Sequence, residues 1–311
     1  MKLLLGVLLG LVVLAVLIYV LFPEALLLRA RNALRRKGGM VEKSVTVGEF
    51  TWPYLEGGDP AGAPVVLVHG FGGDKDNWSF YAPYLTQHYR LIAPDMPGFG
   101  ENARRMDVPH TMAVQVERLA AFLDALGIER CHLGGNSMGG FIALQFALTY
   151  PERLHSLTLF NNAGILGPDE SELQKIMEAD ANASPLVPRT VSQLEQLLGF
   201  IAYKPRFIPG RFKRVMFEQV RPHIPLLDQI FAELAADFQE RPLNDRLGEV
   251  TVPTQIIWGR HDRLIDVSCA RVQHEGITGS ELVIFEDVGH VPMIEKPAET
   301  AQHHLAFLAK H

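Results

Sequence analysis

The sequence predicts an α/β protein: a mostly parallel central sheet flanked by helices, with a helical cap and an N-terminal transmembrane helix. Three observations carry that expectation. Short apolar runs ending in glycines alternate with stretches of helical apolar spacing, as in buried parallel strands joined by crossover helices. Residues 164–247 hold no convincing strand pattern. The chain also opens on a long run without a single charge.

That run, Leu3 to Phe22, reads LLLGVLLGLVVLAVLIYVLF. At about 1.5 Å per residue a helix of this length reaches roughly 30 Å, the thickness of a hydrocarbon core. It ends in Phe22-Pro23-Glu24 and not in a small-x-small cleavage site, so residues 1–23 read as an uncleaved anchor in a membrane. EALLLRARNALRRK follows, and residues 24–39 read as a basic amphipathic helix lying on the bilayer. Arg29, Arg31, Arg35, Arg36 and Lys37 outnumber Lys2, which by the positive-inside rule keeps the body cytoplasmic. A surface helix would instead settle the same charges on anionic headgroups of either face, and sidedness stays open. Gly6-x-x-x-Gly10 fits either a homodimer through the transmembrane helix or the ordinary glycine content of such helices.

The body follows in two parts, 40–163 and 248–311. APVVLVHGFGG (63–73) and YRLIAPDMPGFG (89–100) predict buried strands running into glycine turns. TMAVQVERLAAFLDALG (111–127) predicts a helix stopped by Gly127. CHLGGN, LHSLTLFNN, TQIIWG and ELVIFE are strands, SMGGFIALQFALTY is a helix ended by Pro151, and a last helix runs from about Pro297 to Lys310. Between these parts, 164–247 is too long for a loop and reads as a cap of amphipathic helices broken by prolines, among them Pro188, Pro205 and Pro222. A net charge of −6 and a pI near 6.1 give no footprint for nucleic acid. Two cysteines, Cys131 and Cys269, make no disulfide framework.

Chemistry concentrates at Gly135-Asn136-Ser137-Met138-Gly139, which sits between a strand and a helix. A nucleophile there needs a sharp turn, and small residues two places to either side let strand and helix approach. Ser137 is the candidate nucleophile. His290, in EDVGHVPMIEKP after the last strand, is the candidate base, with His303 and His304 set aside on the exposed face of the final helix. Asp262, just past TQIIWG, is the candidate acid, with Asp266 as the alternative and His261 as a neighbour. The backbone N–H groups of Phe71 and Met138 are the candidate oxyanion hole, with His69 bracing the loop. Asn161 and Asn162, past a strand end, are candidate substrate-binding groups. GFGENA (98–103) opens into a polar loop and not a helix, which argues against a dinucleotide site. No Walker, H-E-x-x-H or cysteine–histidine pattern occurs, so no metal and no cofactor is expected.

HGFGG, APDMPGFG, GNSMGG, WGRHD and GHVPMIEKP, in that order, make residues 45–311 resemble the α/β-hydrolases. That family's nucleophile, acid, base and oxyanion donors fall on Ser137, Asp262, His290, Phe71 and Met138. Glu101 stands where many members carry serine. With its anchor and cap the chain is similar to membrane-bound monoacylglycerol lipases and bacterial inner-membrane phospholipase A enzymes. The resemblance implies an α/β-hydrolase fold, a (lyso)phospholipid or monoacylglycerol substrate, a fatty-acid product, no cofactor, and a body facing the periplasm. GNSMGG is equally at home in carbon–carbon bond hydrolases; a general carboxylesterase and a non-catalytic lipid or signal binder are the other readings.

Overall fold

The computed structural model describes residues 2–179 and 184–311. Four positions of the expected cap, 180–183, lie outside the described residues. The chain starts with α1 (Lys2–Leu21) and α2 (Pro23–Lys37). Then come β1 (Val41–Val47), β2 (Phe50–Gly57), β3 (Pro64–Val68), α3 (Ala82–Leu85), β4 (Arg90–Pro94), α4 (Met112–Ala125), β5 (Cys131–Asn136), α5 (Met138–Thr149) and β6 (Leu154–Phe160). Four helices separate β6 from the next strand: α6 (Glu172–Ala179), α7 (Val191–Ile201), α8 (Gly210–Val220) and α9 (Ile224–Glu240). The chain closes through β7 (Thr254–Gly259), α10 (Ser268–Gly276), β8 (Glu281–Phe285), α11 (Pro292–Glu295) and α12 (Pro297–Leu308).

All eight strands form one sheet in the order β1-β2-β4-β3-β5-β6-β7-β8. From β4 to β8 the pairings are parallel, and β2 runs antiparallel to both of its neighbours. Alternation along β3 shows how two faces are filled: Val66 and Val68 join the cluster of α4 and α5, while Val65 and Leu67 join Trp78, Tyr81 and Phe307. The hairpin β1–β2 has no counterpart in the sequence expectation, because β1 is an edge strand exposed along most of its length and carries no apolar run. The expected exposure of His304 is corrected as well. It is 1% exposed and its Nδ1 is 2.9 Å from the Tyr81 hydroxyl. Burial pushes its pKa down to about 3, so the ring is neutral.

The helices after β6 pack onto the body. Leu226, Leu227 and Ile230 of α9 share the cluster of α4 and α5. The carboxylates of Glu233 and Asp237 accept from His110 N at 2.5 Å and Met112 N at 2.7 Å, placing negative charge at the start of α4.

Among the described residues no helix is long and apolar enough to cross a membrane. α1 nonetheless leaves Leu4, Leu5, Leu8, Leu11, Leu21 and Phe22 exposed. α2 is docked on the body. Arg35 is buried, giving Nε and Nη2 to the two oxygens of Asp76 at 2.6 Å and Nη1 to Glu42 at 2.6 Å. Beside it the buried Lys75 ammonium sits 2.8 Å from Asp95.

Candidate active site

β5 ends at Asn136 and α5 begins at Met138, so Ser137 alone makes the turn from strand to helix. Its φ of 57° and ψ of −121° are sparsely populated for a residue with a side chain. The turn is possible because the residues two places to either side, Gly135 and Gly139, have none. A Cβ on Gly135 would lie 2.1 Å from Gly139 O, and one on Gly139 would lie 2.3 Å from Val68 O. Hydrogen bonds hold it: Ser137 N donates to Phe160 O at 3.1 Å, and Ser137 O accepts from Gly140 N and Ala163 N at 3.0 Å. Ser137 remains partly exposed between the buried residues Asn136 and Met138.

The loops that carry Asp262 and His290 are zipped together at the ends of β7 and β8. Arg260 N donates to Phe285 O at 2.8 Å and His261 N to Val288 O at 2.9 Å. Asp262 is buried and its carboxylate is fully engaged. Oδ1 accepts from Leu264 N at 2.8 Å and Ile265 N at 3.1 Å. Oδ2 accepts from Asn161 Nδ2 and His290 Nδ1, both at 2.7 Å. A carboxylate can only accept, so Nδ1 carries the proton and Nε2 of the neutral ring keeps its lone pair. Asn136 Nδ2 donates to His290 O at 3.0 Å, tying the base to the residue before Ser137.

The loop after β3 passes directly beside the serine: a Cβ on Gly70 would lie 3.0 Å from Ser137 Cβ. Phe71 follows, its ring edge-on to Phe99 and to Phe231 of α9, both at 5.6 Å. His69 braces this loop. Met96 N donates to His69 Nε2 at 3.1 Å, which leaves Nδ1 to donate to Gly70 O at 2.8 Å. Burial pushes the His69 pKa down and favours that neutral ring. Met138 opens α5, and the first N–H groups of a helix have no acceptor within it.

The structure thus brings Asp262 against His290 and sets Ser137, Met138 and the Phe71 loop side by side. Asp266, the alternative acid, instead accepts from Ser268 N at 2.8 Å at the start of α10. Asn161 and Asn162 do not line an open pocket, and that expectation is corrected. Both are 0% exposed. The Asn161 amide is occupied by Asp262, by Gly289 O at 3.3 Å and by Gly259 N at 3.3 Å. Asn162 is wedged against the backbone of α5, where a Cβ on Gly140 would meet its own Cβ at 2.3 Å.

Glu295 is a residue that sequence reasoning passed over. Its Oε1 accepts from Gly289 N and its Oε2 from Tyr203 N, both at 2.8 Å. It therefore joins the base loop to the segment after α7, and His290 N donates to Ile201 O at 2.8 Å beside it. Tyr203 and Gly289 stand 86 positions apart in the chain, and no local pattern in the sequence pairs them. A cavity of about 270 Å³ opens here, lined by Gly199, Ala202, Tyr203, His261, Asp262 and Arg263. Among the described residues no group of three or more His, Cys, Asp or Glu side chains is placed to hold a metal ion.

Comparison with known proteins agrees with this architecture. Residues 63–297 match the family model described as the alpha/beta hydrolase fold. A monoacylglycerol lipase of Xenopus laevis is 30% identical over 94% of this chain and 89% of its own length. Lipase 1 of Psychrobacter immobilis is 33% identical over 88% of this chain and 86% of its own. The crystal structure of a membrane phospholipase A, described as a bacterial virulence factor, superposes with a TM-score of 0.88 at 38% identity, covering 100% of this chain and 99% of that one. The chain belongs to the alpha/beta hydrolase family and is a carboxylic ester hydrolase.

Proposed function

We propose that this protein is a membrane-anchored serine hydrolase that cleaves the carboxylic esters of (lyso)phospholipids or monoacylglycerols. The observation that carries the reading is the 2.7 Å contact of His290 Nδ1 with Asp262, on a loop that Asn136, the residue before the strained turn at Ser137, holds through His290 O. His290 Nε2 takes the Ser137 proton as Oγ attacks the ester carbonyl, and the N–H groups of Phe71 and Met138 receive the developing oxyanion. The same imidazole returns the proton to the departing alcohol. Water then enters by the reverse sequence and releases the fatty acid from the acyl-enzyme. Asp262 fixes the ring tautomer throughout, and no cofactor takes part.

Three things support a lipid at a membrane. The uncharged run of α1 leaves its leucines exposed, a surface that asks for an apolar cover. Phe231 of α9 packs on Phe71 beside Ser137, which supports reading helices α6–α9 as an apolar cap. The relatives named above are lipases and a membrane phospholipase. We place α1 in a bacterial inner membrane with the body on the periplasmic side. Two of the five cations after α1 have acidic partners in the fold, Arg35 with Asp76 and Glu42, and Arg31 with Glu101 at 3.5 Å, so they serve the body itself.

The test is a panel of phospholipids, lysophospholipids, acylglycerols and a ring-cleavage dienoate offered to purified protein and to Ser137→Ala. Ester turnover should fall roughly a millionfold in the variant, with the fold unchanged. A fluorophosphonate should label Ser137 in the parent protein; unlabelled folded protein would favour a binder, and turnover of the dienoate alone a carbon–carbon hydrolase. Deleting residues 1–38 should release the protein from membranes while short soluble esters are still cleaved. Protease added outside intact spheroplasts should digest the body, and protection would place it in the cytoplasm.

A further inference from the structure

We propose that the segment Tyr203 to Arg211, the loop between α7 and α8 with the first residues of α8, docks on the bilayer surface and takes anionic lipid headgroups; this rests on the membrane-anchored reading above. The loop reads YKPRFIPGR, and the residues from Tyr203 through Phe207 are all exposed. Phe207 is 88% exposed, more than Leu4 of α1 at 77%. An aromatic ring this far into water, on a segment held by two prolines, is costly unless something apolar covers it.

Charge points to the same partner. From Tyr203 to Phe217 there are five basic residues (Lys204, Arg206, Arg211, Lys213, Arg214) and no acidic one. Three of them lean on neutral groups. Lys204 Nζ lies 5.3 Å from the Tyr203 ring, Arg206 lies 5.2 Å from the Phe80 ring, and Arg211 Nη1 donates to Val20 O at 2.8 Å. Among the described residues Lys213 pairs with the carboxylate of Glu195, and Asp287 lies within the field of Lys204. Basic side chains around an exposed aromatic match the headgroup region of an anionic membrane.

Position supplies the third argument. The Arg211 contact and the edge-on pair of Tyr19 with Phe212 at 5.4 Å fasten the far end of this loop to the last turn of α1. If α1 lies in the bilayer, that turn stands at headgroup level, and the loop stands there with it. The near end carries Tyr203, stacked on His261 at 4.0 Å beside the cavity that reaches Asp262. Docking therefore sets the mouth of the site against the lipid.

The experiment uses full-length protein in vesicles of phosphatidylcholine with and without phosphatidylglycerol. Trp52, Trp78 and Trp258 are all 0% exposed, so the indole introduced by Phe207→Trp reports on its own surroundings. Its emission should shift to the blue and be quenched by lipids brominated near the headgroup. Water-like emission without quenching overturns the proposal. A blue shift that depends on protein concentration and ignores brominated lipid also overturns it, assigning the patch to a second copy of the chain. Lys204→Glu with Arg206→Glu should cut hydrolysis of phosphatidylglycerol-containing vesicles about tenfold and leave soluble ester turnover unchanged; equal vesicle turnover counts against it. If the parent protein cleaves no ester at all, the enzymatic reading fails, and the quenching result still decides the docking.

Discussion

Asn161 Nδ2 donates to Asp262 Oδ2 at 2.7 Å, the same oxygen that accepts from His290 Nδ1. The residue stands at φ 43°, a left-handed conformation that asparagine tolerates well. It thereby gives the carboxylate oxygen a second donor beside the imidazole. Asn161→Ala should lower kcat for a soluble ester by about tenfold to a hundredfold, the worth of a lost hydrogen bond to a charged group, with KM little changed. Asn161→Asp should lower it further by setting a second carboxylate against the first. Steady-state kinetics beside thermal unfolding checks this, and full activity in Asn161→Asp would remove the assignment.

The turn at Ser137 sets a stability prediction. A methyl on Gly139 would lie 2.3 Å from Val68 O and 2.4 Å from His69 O, both backbone atoms that cannot give way. Gly139→Ala should cost about 3 kcal/mol or more, measured by denaturant unfolding. Gly199, in α7, meets nothing within 4 Å of an added Cβ, so Gly199→Ala should stabilise by about 0.5–1 kcal/mol. Equal effects at the two sites would show that close packing does not hold the turn.

How far the sequence reveals this molecule depends on where the information lies. β3, β4, β5, β6 and β7 are buried strands; continuous apolar runs announce β3 and β4, and shorter apolar stretches running into glycine or asparagine mark the others. β1 escapes because an exposed edge strand needs no apolar face. Ser137, Asp262 and His290 stand out because each follows a strand end, a place fixed by local pattern. Asn161 is read as a pocket residue since the sequence cannot show that its amide turns inward to Asp262. Glu295 stays silent for the same reason, its partners being backbone N–H groups that every residue but proline possesses. His304 is misplaced because a polar residue on a terminal helix looks solvent-facing until Tyr81 is seen to meet it.

Asp74 gives a pH prediction. It caps the turn Lys75–Trp78 by accepting from Asp76 N at 2.9 Å. Burial, with Asp95 and Asp76 nearby, pushes its pKa up from 3.8 to about 6. Between those values the folded protein holds a proton that the unfolded chain releases. This contribution to stability is complete below about pH 4 and is lost as the pH rises to about 6. Asp74→Asn keeps the acceptor and cannot titrate. The unfolding free energy of the parent, relative to Asp74→Asn, should fall from pH 4 to pH 6 and then level off; a parallel pair of curves would contradict it.

We propose that Glu295 is a positioning residue for the candidate base, His290. Its two oxygens accept from Gly289 N and Tyr203 N at 2.8 Å, so one carboxylate sets the distance between the His290 loop and the segment after α7. The fit is close, because a Cβ on Gly289 would lie 2.7 Å from Tyr203 N. Burial raises the Glu295 pKa, while the backbone N–H groups of Gly289 and Tyr203 oppose that shift. Glu295→Gln keeps the shape but turns an amide N–H toward a backbone N–H, leaving one of the two without an acceptor. It should lower kcat about tenfold on a soluble ester with a smaller effect on KM, as expected when His290 sits off its productive position. Hydrogen exchange at Gly289 and Tyr203 should quicken in Glu295→Gln and Glu295→Ala, while the amides of β5 stay protected. Faster exchange at those two amides with kcat unchanged would mean that the junction holds the cap segment without acting on the base.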